Sequence, residues 1–133
     1  MTDFTQIPFD RITKFGQQTM LDSKLFAVSW ILGRFCNYSC SYCWPYAHSD
    51  KPDYQPLYTY LKTIESIKEQ ANYNGFDMFH WSFSGGEPTA YKELHAILYE
   101  VSHDSIHMTT NLSPGIKWWE RYLQLTRSAR RRS

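Results

Sequence analysis

At 133 residues, 42% of them hydrophobic and 20% charged, the chain suffices for one globular domain with an ordinary core and is too apolar for intrinsic disorder. A formal net charge of +1 excludes a global electrostatic attraction to nucleic acid or to a membrane surface. Four arginines, Arg127, Arg130, Arg131 and Arg132, crowd a basic C-terminal end at 127–133. No aromatic residues alternate with them, so this end reads as a solvated tail rather than a nucleic-acid arm.

Residues 1–24 show no period and read as an N-terminal extension. They lack the basic-then-apolar pattern of a secretory leader, and the expected location is cytoplasmic. Residues 25–33, LFAVSWILG, form a β-rich apolar run expected to be a strand buried on both faces, as parallel strands are. Its apolar part is broken by Ser29 and is too short to span a bilayer. A long loop follows, to about Pro56. It opens with CNYSCSYCW and contains every cysteine of the chain: Cys36, Cys40 and Cys43.

Leu57, Leu61, Ile64, Ile67 and Ala71 recur on one face of a 3.6-residue period and predict a helix, stopped at Asn74-Gly75. Residues 76–84 alternate. Phe79, Trp81 and Phe83 face one side of a second strand, and His80, Ser82 and Ser84 face the other. Gly85-Gly86-Glu87-Pro88 interrupts, and a second helix is expected over 89–102 with Leu94, Ile97, Leu98 and Val101 as its apolar stripe. Residues 105–111, SIHMTTN, predict a third strand. Ser113-Pro114 predicts the cap and first turn of a third helix through GIKWWERYLQL.

Strands alternating with helices imply an α/β fold of parallel βαβ repeats, in which sites gather at the C-terminal ends of strands. The cysteines, GGEP and Thr110-Asn111 each follow a strand, so three distant stretches are expected on one rim. His95, His103 and His107 have no ligand-like spacing and receive no role, while Trp118, Trp119 and Tyr122 read as core or interface.

Three thiols at spacings of four and three suit a soft metal: zinc, or iron in an iron–sulfur cluster. In a reducing compartment such a set is more often metal-binding or redox-active than disulfide-bonded. Zinc with His48 as a fourth ligand would account for the cysteines, and Cys40-Ser41-Tyr42-Cys43 is also a dithiol redox pattern. Neither uses GGEP. For a [4Fe–4S] cubane, three thiolates leave one iron open to a ligand from solution.

Cys36-x3-Cys40-x2-Cys43, with Tyr42 before the last cysteine and GGEP after the next strand, resembles the signature of the radical SAM superfamily. The resemblance spans about 25–126 and implies the first three βα units of a partial (β/α)6 barrel. It further implies that Cys36, Cys40 and Cys43 each ligate one iron of a [4Fe–4S] cluster and that S-adenosylmethionine chelates the open iron. Tyr42 would lie beside the adenine. Gly85, Gly86 and Glu87 would hold the methionyl amino end, and Asn111 would contact the ribose or carboxylate. The implied chemistry is one-electron cleavage of the sulfonium to methionine and a 5′-deoxyadenosyl radical, which abstracts hydrogen from a substrate. His80, Ser82 and Ser84 would line the cavity or, equally, form a satisfied polar interior. A flavodoxin or ferredoxin electron donor is implied by the same resemblance. With three of the expected units in hand, the chain reads as a truncated or split form, the alternative being a naturally short form that pairs with a second chain, and a second chain or self-association would complete the barrel.

Overall fold

A computed structural model describes residues 24–44 and 48–130. The expected extension over 1–24 and the last three residues of the basic end, 131–133, therefore lie almost wholly outside the described residues. Three strands, β1 (Leu25–Ile31), β2 (Met78–Ser84) and β3 (Ser105–Met108), form one sheet in that order. Both pairings are parallel: Val28 sits opposite Trp81, and Trp81 opposite Ile106. Helices α1 (Leu57–Tyr73), α2 (Leu94–Glu100) and α3 (Ile116–Arg130) alternate with the strands. This is the βαβ arrangement that the hydrophobic patterning predicts.

The core lies on one face of the sheet. Trp81 and Phe83 of β2 are fully buried against Ile64 of α1 and against Leu94, Ile97 and Leu98 of α2, all within one cluster. Burying side chains of this size stabilises the fold by about 1.5–3 kcal/mol each. Trp81 also donates its indole N–H to Asp104 at 2.9 Å, and Lys68 from α1 pairs with the same carboxylate at 2.8 Å. Helix α1 ends as its sequence requires, with Gly75 at φ 88° and Phe76 N–H donating to Ala71 O. Its buried face also takes in Tyr60, whose hydroxyl donates to Leu32 O at 2.6 Å.

Several expectations need correction. Strand β1 is not buried on both faces. Phe26, Val28 and Trp30 pack on the core, whereas Ala27, Ser29 and Ile31 are exposed, because no described element covers that side. The helix expected over 89–102 is interrupted. Pro88–Ala90 is a single 3-10 turn, Tyr91 is extended at ψ 114°, and α2 begins only at Leu94. Tyr91 breaks the helix to pack its ring on Tyr54 and Tyr60, at 5.0 and 5.4 Å. Burial pushes its phenol up to about 12. Strand β2 starts at Met78, not at residue 76, and β3 stops at Met108, where its pairing with Phe83 ends. Ser113 is not a helix cap. Helix α3 begins at Ile116, with Gly115 O accepting from Trp118 N–H.

Candidate functional site

The C-terminal rim of the sheet carries the cysteine loop after β1, GGEP after β2 and the 109–113 turn after β3. They are bonded to one another, not merely adjacent.

The base of the cysteine loop is held from two sides. Asp53 returns from the far end of the loop and accepts from Arg34 N–H and Phe35 N–H, each at 2.9 Å. Cys36 N–H donates to Ser49 O at 3.1 Å, and Ser49 N–H to Arg34 O at 2.7 Å, closing a short parallel bridge beside His48. On the other side GGEP lies along the same residues. Gly86 N–H donates to Gly33 O at 3.1 Å, and Glu87 N–H to Phe35 O at 2.7 Å. Tyr54 donates its hydroxyl to Glu87 O at 2.7 Å. Burial and the neighbouring carboxylates hold the Tyr54 phenol well above its ordinary value.

This contact explains the two glycines. A Cβ on Gly85 would collide with Gly33 O, and one on Gly86 with Arg34 O and Phe35 O. Gly85 also stands at φ 122°, where only glycine is unstrained. The close approach that the glycines permit here is to the main chain that leads into the cysteines.

Glu87 is 1% exposed. Its Oε1 accepts from Thr89 N–H (3.1 Å), Thr89 Oγ1 (2.5 Å) and Thr110 Oγ1 (2.7 Å), and its Oε2 from Asn111 N–H (2.6 Å). A buried carboxyl is stable only when its oxygens are satisfied in this way. The side chain is thus a strut between the loops after β2 and β3. The Asn111 side chain turns toward the cysteine loop, donating from Nδ2 to Asn37 Oδ1 at 2.9 Å and accepting from Ser113 N–H at 3.0 Å.

All three cysteines are free thiols. Cys36 and Cys40 are half-buried and Cys43 is exposed. Tyr38 N–H donates to Cys36 Sγ, and Cys43 N–H to Cys40 O, so 40–43 already forms a turn. Among the described residues, no three His, Cys, Asp or Glu side chains are gathered closely enough to hold a metal ion. The donor set suits an iron–sulfur cluster in kind: three free thiols on one accessible loop anchored at its base, bonded among the described residues only to their loop neighbours Tyr38 and Tyr42. Its closure around such a group is not preformed. Tyr42 is 88% exposed beside the cysteines, where a hydrogen bond to Cys40 and repulsion between phenolate and thiolate push its phenol up.

Below the rim, His80, Ser82 and Ser84 lie on the bare face of β2, as their alternation predicts. His80 Nδ1 and Ser105 Oγ share a hydrogen bond of 2.9 Å, and Ser82 Oγ and His107 Nδ1 one of 3.1 Å. Sequence reasoning missed Asn37, Asp53, Tyr54 and Ser113. Each acts through a partner 18 to 76 residues away, and no local pattern marks such a contact.

A protein-family model described as the radical SAM superfamily matches residues 30–131. No curated protein and no solved structure matches the chain.

Proposed function

The chain belongs to the radical SAM superfamily, and on that premise we propose that it holds a [4Fe–4S] cluster through Cys36, Cys40 and Cys43 and binds S-adenosylmethionine on the same rim. Together these groups supply reductive carbon–sulfur cleavage and hydrogen abstraction from a substrate, and the protein supplies position and shielding. The observation that carries the reading is the bonded union of the cysteine loop, GGEP and the 109–113 turn at one end of a parallel sheet.

Each residue's part follows from what it already touches. The main chain of Gly85 and Gly86 borders the amino end of the ligand. Glu87 acts through its position, because its carboxylate is committed to Thr89, Thr110 and Asn111. Tyr42, exposed beside the cysteines, meets the adenine by yielding its bond to Cys40. Asn111 reaches the ribose or carboxylate by yielding its bond to Asn37. The substrate approaches the bare sheet face of His80, Ser82 and Ser84, and a small flavin or iron–sulfur protein delivers the electron. Further strands beyond β3, from a second chain or a second copy, enclose that face.

Anaerobic reconstitution with iron and sulfide, followed by EPR of the reduced protein with and without S-adenosylmethionine, tests this reading. The expected result is a [4Fe–4S]⁺ signal that changes when S-adenosylmethionine is added. A protein that takes up zinc and no cluster would overturn it.

A further inference from the structure

The three cysteines do not share one degree of restraint. Up to Cys36 the chain is held by main-chain bonds to Ser49 and by the Glu87 and Asp53 contacts to Phe35. Beyond Asn37, the hydrogen bonds of described residues 38–44 run only within the loop itself, from Tyr38 N–H to Cys36 Sγ, from Cys43 N–H to Cys40 O and between Tyr42 and Cys40. Between the two regimes stands Asn37, whose side chain reaches 74 and 76 residues along the chain. Its Oδ1 accepts from Asn111 Nδ2 at 2.9 Å, and its Nδ2 donates to Ser113 Oγ at 3.0 Å.

The receiving turn is itself fixed. Asn111 N–H is bonded to buried Glu87, Leu112 N–H to Thr110 Oγ1, and Ser113 N–H to Asn111 Oδ1. Leu112 stands at φ 61°, the sole non-glycine residue at positive φ among the described residues. A leucine held in the left-handed region is strained and persists only where surrounding bonds over-determine it. Here it turns the chain so that Asn111 and Ser113 present matching groups to one amide. Asn37 uses both, as acceptor and as donor.

We infer that Asn37 is a positioning residue, the pivot on which the cysteine loop closes. It ties the near end of the loop to the turn after β3, and only the segment carrying Cys40 and Cys43, a local turn bonded within the loop alone, remains to be fixed against the rim when a cluster forms. Each backbone residue ordered costs conformational entropy, so shortening the segment still to be fixed favours closure. The geometry is independent of the cluster, whereas its purpose rests on the function proposed above.

The experiment has two arms. In the metal-free protein, backbone order parameters from ¹⁵N relaxation are compared for wild type and Asn37→Ala. The expected result is a fall at residues 37 and 38 from the rigid range, about 0.85, to below about 0.6, with β2 and α2 unchanged. Equal values at 37 and 38, or a loss spread over the whole sheet, would overturn the inference. Ser113→Ala removes one bond from an exposed position and should give a smaller fall at the same residues, which keeps the test open if Asn37→Ala folds poorly. In the second arm iron and sulfide are supplied anaerobically. Asn37→Ala should incorporate them about five- to tenfold more slowly than wild type, the loss expected for about two hydrogen bonds. Asn37→Asp, which keeps the bond from Asn111, should fall between. Uptake equal to wild type in Asn37→Ala would overturn the inference. If wild type itself takes up no cluster while the order parameters change as expected, the pivot stands and the function reading fails.

Discussion

Glu87 shows how one side chain can serve a site without facing a ligand. Its four accepted bonds join residues on both sides of the rim, and its burial raises the cost of losing any of them. Glu87→Gln turns one acceptor into a donor that faces existing donors. We expect a loss of about 1–3 kcal/mol, read as a lower urea midpoint with unchanged slope. His95 is the converse case. Its Nε2 is buried without a partner, and its ring lies 4.5 Å from Trp118 at the contact of α2 with α3. Desolvation lowers its pKa, Arg121 lowers it further, and a backbone hydrogen bond with Trp118 opposes them. A depressed folded value means that the unfolded chain binds the proton more readily. Stability is therefore complete above the unfolded value of 6.5 and declines as pH falls below it. The drop in Tm between pH 7.5 and 5.5 should shrink in His95→Phe. An equal drop in both proteins would assign the effect to other groups.

At the scale of elements, the informative contact is GGEP against residues 33–35. Two stretches some fifty residues apart approach so closely that no side chain fits between them. Gly86→Ala must push GGEP away from Arg34 and Phe35, straining the bonds from Gly86 N–H and Glu87 N–H. We expect a destabilisation of at least about 2 kcal/mol, with cluster uptake falling as the base of the cysteine loop shifts. Thermal melting and iron analysis on the same sample would check both. A stable variant with normal uptake would show that the close contact is not needed. The interrupted helix belongs here too. The apolar stripe at Leu94, Ile97, Leu98 and Val101 was legible because it repeats every three or four residues. The break at Tyr91 was not, because its cause is a three-ring contact with Tyr54 and Tyr60 that forms only after α1 has docked.

For the whole molecule, the dominant feature is a parallel sheet with helices on one face. Parallel sheets are ordinarily covered on both sides. Here Ala27, Ser29 and Ile31 of β1 stand exposed beside the polar face of β2, and β3 has a free edge among the described residues. A free edge invites a further strand. We expect concentration-dependent self-association in size-exclusion chromatography with light scattering, weakened by Ile31→Ser, which removes the largest exposed apolar side chain of β1. A compact monomer at every concentration would count against completion of the fold by another copy. No helix among the described residues is long and apolar enough to cross a membrane.

The sequence by itself determined the order of elements, the parallel topology, the buried residues of β2 and α2, and the meeting of three loops on one rim. Those follow from period and succession, which are local properties of a chain. Only the tertiary structure decided that β1 is half-bare, that Glu87 is a strut, that the glycines serve a backbone contact, and that Asn37 reaches Asn111 and Ser113. These depend on which groups meet after folding. A hydrogen bond spanning 76 residues has no periodicity for the sequence to display.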